Sequence, residues 1–262
     1  LDELRFLIDE LHIPLVKVAS GDLTFAPMLV EAGQSNLPVI VSTGMAVMDE
    51  IAQALKFIAF GYARANGIVA ADAKPTDAAL EANYVREDVR QLMLEKVTIL
   101  HCTTQYPAEL DILNLNAIGL IADEFGLPVG YSDHSLGTLA SVIAVGMGAT
   151  VIEKHFTLDK SLEGPDHEAS LDPAELESLV SQIRQATRAL GERKKQPAPI
   201  ELANKAVVRR SLVAKRDIAA GAVITEDDLE CRRPLNGRTS FDFYEVVGTV
   251  AGKAYSAGEY VA

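Results

Sequence analysis

The sequence contains only two cysteines, Cys102 and Cys231, among its 262 residues. Two cysteines so far apart in the chain do not form the dense disulfide framework of a small secreted domain. No uninterrupted apolar run approaches the ~20 residues that a membrane-spanning helix requires. These two absences favour a cytoplasmic protein and exclude a membrane partner for the sequence as read.

Basic residues are also scarce. The 24 lysines and arginines are outnumbered by 37 aspartates and glutamates, so the formal net charge is −13. Proteins that bind nucleic acid usually present a basic face, and the small basic clusters "GERKKQ" and "VVRRSLVAKR" are interpreted as a solvated helix end and a linker. We therefore expect no nucleic-acid partner.

Short β-branched runs recur along the first three fifths of the chain. Each is apolar at consecutive positions where it begins and polar where it ends, which is typical of parallel strands buried on both faces with chemistry at their carboxyl ends. Segments with helical spacing of apolar residues alternate with these runs, which predicts βα units and a parallel sheet of the α/β class. The runs are "PLVKVAS" (14–20), "PVIVSTG" (38–44), "VTILHCT" (97–103), "PVGYSD" (128–133) and "TVIEKH" (150–155).

A domain boundary is predicted after Gly191. The segment before it has the signals of a capped helix, because Asp172 can cap its first turn, Pro173 suits that turn and Glu175 completes a capping box. We expect a first domain over 1–191 and a polar, proline-bearing linker over 192–204. The remaining residues, 205–262, favour a small β-rich domain in which "DIAAGAVIT" and "AYSAGEYVA" repeat one short unit.

Two of the predicted strands end in histidine. Because side chains alternate along a strand, Ser132 shares a face with His134, and Glu153 shares a face with His155. If these are neighbouring strands of a parallel barrel, both pairs point into the same mouth, and two imidazoles with oxygen ligands suit a first-row divalent metal. The alternative is that each histidine is a structural hydrogen-bonding residue.

Hydroxyl groups follow the other strands. They accompany one lysine, Lys17, and such a set can bind a phosphate. The alternative is that each serine or threonine simply caps the helix that follows it. The hydroxyl residues are Ser20, Ser42, Thr43, Thr103, Thr104 and Tyr106.

Taken together, several ordered blocks of the sequence closely resemble the bacterial sialic acid synthases, a family that includes the legionaminic and pseudaminic acid synthases. The resemblance implies a TIM (β/α)8-type barrel, of which about five βα units are visible and the first three strands have no counterpart here. The C-terminal part resembles the antifreeze-like SAF domain of the same enzymes. The blocks are "VKVASGDLT", "PVIVSTGMA", "LHCTTQYPAE", "VGYSDHSLG", "IEKHFTLDKSLEGPDHEASLDP" and "RRSLVAKRDIAAGAVITEDDL".

The resemblance implies a reaction. Phosphoenolpyruvate would condense with an N-acetylated hexosamine, either N-acetylmannosamine or a diacetamido analogue, to give a nine-carbon 2-keto sugar acid and phosphate. His134 and His155 would be the ligands of a divalent cation, usually Mn²⁺, that polarises the sugar aldehyde.

The resemblance also implies roles for other residues. The phosphoenolpyruvate ligands would be Lys17, Ser20, Ser42 and Ser132, and the catalytic or sugar-facing residues would be Glu153, Asp166, Tyr106 and Thr104. Thr104 stands where some sialic acid synthases have Asn, which indicates the legionaminic branch. Arg233 matches the arginine that the SAF domain donates to the N-acetyl group across a domain-swapped homodimer, although Leu235 replaces a glycine usual in that loop.

Two other functions remain open. One is a non-catalytic sugar-phosphate binding or interaction module, and the other is a metal-dependent barrel aldolase with a different phospho-substrate. The presence of His134, His155, Lys17 and Asp166 argues for catalysis.

Overall fold

The computed structural model describes residues 1–261, which form two compact units: one over residues 1–191 and one over the rest of the chain. The first unit contains a five-stranded parallel sheet with the strands in chain order. The strands are β1 (Val16–Val18), β2 (Val39–Ser42), β3 (Val97–Cys102), β4 (Val129–Asp133) and β5 (Ile152–Lys154). All five predicted strands are present, each inside its predicted run. The α/β class with a partial parallel barrel is therefore confirmed.

Helices connect the strands and cover one face of the sheet. The helices of this unit are α1 (Asp2–Asp9), α2 (Ala26–Gln34), α3 (Met48–Ala65), α4 (Asp77–Tyr84), α5 (Glu87–Lys96), α6 (Ala117–Phe125), α7 (Leu139–Gly146) and α8 (Pro173–Leu190). The long connection between β2 and β3 holds three of them, α3, α4 and α5. The predicted cap of α8 is confirmed, because the Asp172 carboxylate accepts the Glu175 main-chain N–H at 2.8 Å and the Glu175 carboxylate accepts that of Asp172 at 3.0 Å.

The two faces of the sheet have different chemistry. Residues at alternate strand positions belong to a buried core that includes the inner faces of the helices; they are Val16, Val18, Val39, Val41, Val97, Ile99, Val129 and Tyr131. The strand residues between them point to the other face, where Lys17, Ser132 and Glu153 lie. The outer face, which holds the helices, is apolar along most of each strand and carries Asp133 and Lys154 at the ends of β4 and β5, whereas the opposite face carries most of the other polar residues together with Ile40 and Leu100.

Helices α2 and α3 pack closely through two glycines. A methyl group added at Gly33 would lie 2.2 Å from the Ile58 carbonyl oxygen, and one added at Gly61 would lie 2.3 Å from that of Val30. Only glycine allows the two backbones to approach this closely.

The second unit is small and contains short strands. Helix α9 (Pro199–Val208) begins inside the predicted linker, and β6 (Ser211–Ala214) pairs antiparallel with β7 (Leu229–Arg232); a short helix, α10 (Phe243–Val246), follows. The two predicted repeat segments bridge each other at Ile218 and Tyr255. Both Gly221 and Gly258 have positive φ, at 83° and 88°, as expected of residues that provide turns.

In the part of the chain covered by residues 1–261, no helix is both long enough and apolar enough to cross a membrane.

Candidate active site

Polar side chains meet at the carboxyl edge of the parallel sheet. Strand pairing places Cys102 beside Ser132 and Ser132 beside Glu153, so these three side chains form one row across β3, β4 and β5 on the inner face. The carboxyl ends of parallel strands are where enzymes of this architecture place their reacting groups.

Lys17 and Glu153 connect the two outermost strands of the sheet. The Lys17 ammonium lies 3.2 Å from one carboxylate oxygen of Glu153, and the Ser132 hydroxyl donates to the other at 2.7 Å. Their side chains are 31% and 41% exposed, so the pair is open to a ligand from solvent. The arrangement places a cationic and an anionic side chain next to each other at the carboxyl edge of the sheet.

Three rings lie next to this pair. The ring centroids of His134 and His155 are 5.4 Å apart, with the planes at 77°. Tyr106 packs against both, at 4.2 Å from His134 and 5.6 Å from His155. The structure therefore brings the two strand-end histidines together on one side of the sheet.

The tautomer of His134 is fixed by a main-chain contact. Its Nδ1 lies 2.6 Å from the carbonyl oxygen of Thr103, which can only accept, so Nδ1 carries the proton and donates. Burial lowers the pKa of His134, which keeps the imidazole neutral. Its Nε2, 3.5 Å from the Ser132 hydroxyl, therefore presents a lone pair toward the site.

The donor set fits a first-row divalent cation. It has two imidazoles, one of them a neutral ring with a fixed tautomer, and the Glu153 carboxylate, which is linked to His134 through the Ser132 hydroxyl. Among residues 1–261, no group of three or more His, Cys, Asp or Glu side chains is arranged as a complete ligand set. A cation here would draw its remaining ligands from water or from a substrate, as catalytic sites with open positions do.

A second group of polar atoms lies toward β1 and β2. The Ser20 hydroxyl accepts the main-chain N–H of Gly44 at 3.0 Å and lies 3.2 Å from the Cys102 sulfur. A methyl group at Gly44 would be 2.6 Å from the Thr104 methyl and 2.8 Å from the Ser20 oxygen. Glycine at position 44 therefore allows the backbone that follows β2 to lie close to the side chains of Ser20 and Thr104.

The hydroxyl of Ser42 is buried and has no hydrogen-bond partner among the described residues. Ser42 is paired with Leu100 at the end of β2 and, two residues after Ile40, shares the inner face with Lys17. A buried hydroxyl without a partner is costly, and a bound polar ligand would remove that cost.

Asp166 lies at the rim of the site, with its carboxylate 3.8 Å from Nδ1 of His155 and its side chain 54% exposed. Tyr106 is about half exposed, and its phenolic hydroxyl can donate a hydrogen bond. Arg233 belongs to the second compact unit, where it is exposed.

Sequence reasoning missed two contributions to this site. The Thr103 carbonyl that orients His134 is a main-chain group, which no residue pattern reveals. The pairing of Asp133 with Lys154 was not foreseen either, although each residue directly precedes one of the two histidines. The sequence signal for this pair was that an acidic and a basic residue each stand one position before a strand-end histidine.

Comparison with known proteins shows which families the two parts of the chain match. Residues 1–195 match the model of the NeuB family, and residues 209–262 match that of the SAF domain. The N,N'-diacetyllegionaminic acid synthases of Campylobacter jejuni and Legionella pneumophila are 39% and 41% identical over 97% of this chain. The human N-acetylneuraminate-9-phosphate synthase is 34% identical over 92% of it.

Two solved structures are also similar to this chain in sequence and fold. The N-acetylneuraminic acid synthetase of Leptospira borgpetersenii, solved with citrate, is 31% identical, with a TM-score of 0.59 over 74% of this chain. A putative spore coat polysaccharide biosynthesis protein E from Chromobacterium violaceum is 25% identical, with a TM-score of 0.68 over 97%. The chain spans 68% and 63% of the two legionaminic acid synthases and 57% of the Leptospira protein. The chain belongs to the NeuB family and carries a SAF domain in its C-terminal part.

Proposed function

We propose that this protein is a carbon–carbon bond-forming synthase that condenses phosphoenolpyruvate with an N-acetylated hexosamine to give a nine-carbon 2-keto sugar acid and phosphate. One observation carries the proposal: His134 and His155 face each other 5.4 Å apart, beside the Lys17–Glu153 pair, at the carboxyl edge of one sheet. A cation site next to an anion pocket is what this reaction needs. The family membership and the legionaminic acid synthase relatives support the same reaction.

Phosphoenolpyruvate fits the side of the site formed by β1 and β2. Lys17 supplies the positive charge, and the hydroxyls of Ser20, Ser42 and Ser132 can donate to phosphate and carboxylate oxygens. The unpartnered hydroxyl of Ser42 supports this role, because a bound anion would accept its proton. The ammonium of Lys17 would be shared between Glu153 and the phosphate.

The aldehyde end of the sugar fits the side formed by β4 and β5. His134 and His155 would hold the divalent cation, which we propose to be Mn²⁺ and which supplies Lewis-acid polarisation of the sugar carbonyl when bound. Asp166, Tyr106 and Thr104 lie around the histidines or at the adjoining β3 end, where they can hydrogen-bond to sugar hydroxyls.

The bond changes balance as follows. C3 of phosphoenolpyruvate forms the new bond to the aldehyde carbon, whose oxygen takes a proton and becomes a hydroxyl. Water then adds to the cationic C2 and loses one proton, the C2–O bond to phosphate breaks with its electron pair leaving on phosphate, and the C2 hydroxyl releases its remaining proton to give the 2-keto acid. The Glu153 carboxylate, held by the Ser132 hydroxyl and the Lys17 ammonium, is placed to accept the proton that the water loses.

The sugar is proposed to be the diacetamido analogue. The legionaminic acid synthases share 39–41% identity with this chain, against 34% for the human N-acetylneuraminate-9-phosphate synthase. The Arg233 contact with the N-acetyl group, the domain-swapped homodimer and the cytoplasmic location stay predictions.

The test is an assay with the full-length protein, phosphoenolpyruvate, Mn²⁺ and either N-acetylmannosamine or its diacetamido analogue. We expect phosphate release that depends on the sugar, one nine-carbon acid per phosphate by mass spectrometry, and loss of both with EDTA. Omitting the sugar controls for hydrolysis of phosphoenolpyruvate. Absence of sugar-dependent phosphate with either hexosamine would refute the proposal.

A further inference from the structure

A buried ion pair lies directly behind the two histidines. The Lys154 ammonium is 3.0 Å from the Asp133 carboxylate, and their side chains are 4% and 0% exposed. The two residues are partners across β4 and β5. Because strand side chains alternate, they point to the face opposite His134 and His155, the residues that follow them in the chain.

The Asp133 carboxylate is fully engaged. One oxygen accepts the main-chain N–H of Ser135 at 2.9 Å and its hydroxyl at 2.7 Å. The other accepts the hydroxyl of Ser141, on helix α7, at 2.5 Å, in addition to the Lys154 ammonium. Lys154 also donates to the main-chain carbonyl of Ser135. The carboxylate thereby joins β4, β5 and α7 at one point.

Residues of this network flank His134 on both sides in the sequence. The residues on either side of it, Asp133 and Ser135, are both bonded to Lys154, the residue that precedes His155. A continuous path of backbone and polar contacts therefore links one histidine to the other. The Asp133–Lys154 contact is thus one of the links that set the spacing of the two histidines, together with the backbone pairing of β4 and β5.

Stability alone does not account for the pair. Removing two charges from water costs free energy, and apolar residues of similar size can fill such a position with equal or greater stability. What an ion pair with directional hydrogen bonds adds is a defined geometry. Here that geometry is imposed one residue before each of the two imidazoles.

We propose that Asp133 and Lys154 are positioning residues that fix the spacing of His134 and His155 for a divalent cation. Neither residue is assigned a contact with substrate. The inference rests on the proposed function, because it assumes that the two imidazoles share a cation. Supporting residues of metal ligands typically change metal affinity by about 10–100-fold when they are replaced.

The test measures Mn²⁺ binding directly, from the electron paramagnetic resonance signal of free Mn²⁺ in a titration without substrates. For Lys154→Met we expect a 10–100-fold weaker Mn²⁺ affinity with the circular dichroism spectrum retained. Lys154→Arg keeps the charge, and we expect it to retain most of the wild-type Mn²⁺ affinity. In the phosphate assay the Mn²⁺ requirement of Lys154→Met should rise, while its KM for phosphoenolpyruvate should stay near the wild-type value.

The matched control is Leu55→Ala, a fully buried truncation in α3 outside the network. It should lower the melting temperature and leave Mn²⁺ affinity unchanged, which separates positioning from loss of stability. If Lys154→Met does not fold, Ser141→Ala decides the question. That variant removes one donor to Asp133 and keeps the ion pair, so it should weaken Mn²⁺ binding by a smaller factor.

Wild-type Mn²⁺ affinity in folded Lys154→Met, or in Ser141→Ala where Lys154→Met does not fold, would overturn the inference. A wild-type protein that binds no Mn²⁺ would overturn it as well. A different result would refute the proposed function: the wild type would bind Mn²⁺ and release no phosphate with either sugar.

Discussion

The ammonium of Lys17 lies 3.2 Å from the carboxylate of Glu153, although these residues belong to the first and the last strand of the sheet. In a flat sheet, four strand spacings of about 4.8 Å would separate them by roughly 19 Å. The contact therefore shows that the sheet curls into a half-barrel. That curl brings the proposed phosphate-binding side and the proposed cation-binding side together.

Replacing His155 with alanine should abolish Mn²⁺ binding and lower turnover by about 100-fold or more, because the cation would contribute several kcal/mol to the reaction. The fold should be retained, since the ring is partly exposed. Mn²⁺ titration and phosphate release measure the two effects. His12→Asn is the control, since His12 is exposed and its φ of 50° is one that Asn tolerates. Full turnover of His155→Ala in EDTA would rule out the metal role.

Replacing Lys17 with methionine should raise the KM for phosphoenolpyruvate by about 10–100-fold, because a charge-assisted hydrogen bond contributes ~1.5–3 kcal/mol. The KM for the sugar should change little. Steady-state phosphate release at varied concentrations of each substrate separates the two constants. Lys56→Met, which removes a partly exposed ion pair with Glu81, serves as the control. A variant with an altered sugar KM and a normal phosphoenolpyruvate KM would contradict the assignment.

The strand ends were predictable from the sequence, but the contacts between them were not. Apolar runs that turn polar located all five strands, and alternation placed Ser132 with His134 and Glu153 with His155. The curl that brings Lys17 to Glu153 depends on the whole sheet, which local patterns do not encode. The role of Gly44 was equally hidden, because it depends on how close the Ser20 and Thr104 side chains come.

Mixing Arg233→Ala and His155→Ala chains, each of which we expect to have little activity alone, tests whether Arg233 acts across a homodimer. In a mixed dimer of Arg233→Ala and His155→Ala chains, one site would combine an intact pair of histidines with an intact arginine donated by the partner. We expect phosphate release to return on mixing and exchange of subunits, reaching up to half the sites of each mixed dimer. Activity that stays absent, in dimers shown to be mixed by mass spectrometry, would show that Arg233 does not act in this way.

Replacing Gly61 with alanine should destabilise the first unit by about 1–3 kcal/mol or more, since the added methyl would lie 2.3 Å from the Val30 carbonyl oxygen. Urea unfolding followed by circular dichroism measures the change. Gly119→Ala in helix α6 is the matched control, because nothing lies within 4 Å of its added methyl. That control should be neutral or more stable by up to about 1 kcal/mol. Equal stability of the two variants would contradict the close packing of α2 on α3.

The most direct test of the site is the location of the cation itself. Crystals of the protein grown with Mn²⁺ and phosphoenolpyruvate can be measured on either side of the manganese absorption edge. We expect one strong anomalous peak within coordination distance of both His134 and His155, with the phosphate of phosphoenolpyruvate against Lys17. A peak away from the two rings, or none at this edge of the sheet at saturating Mn²⁺, would contradict the proposed function.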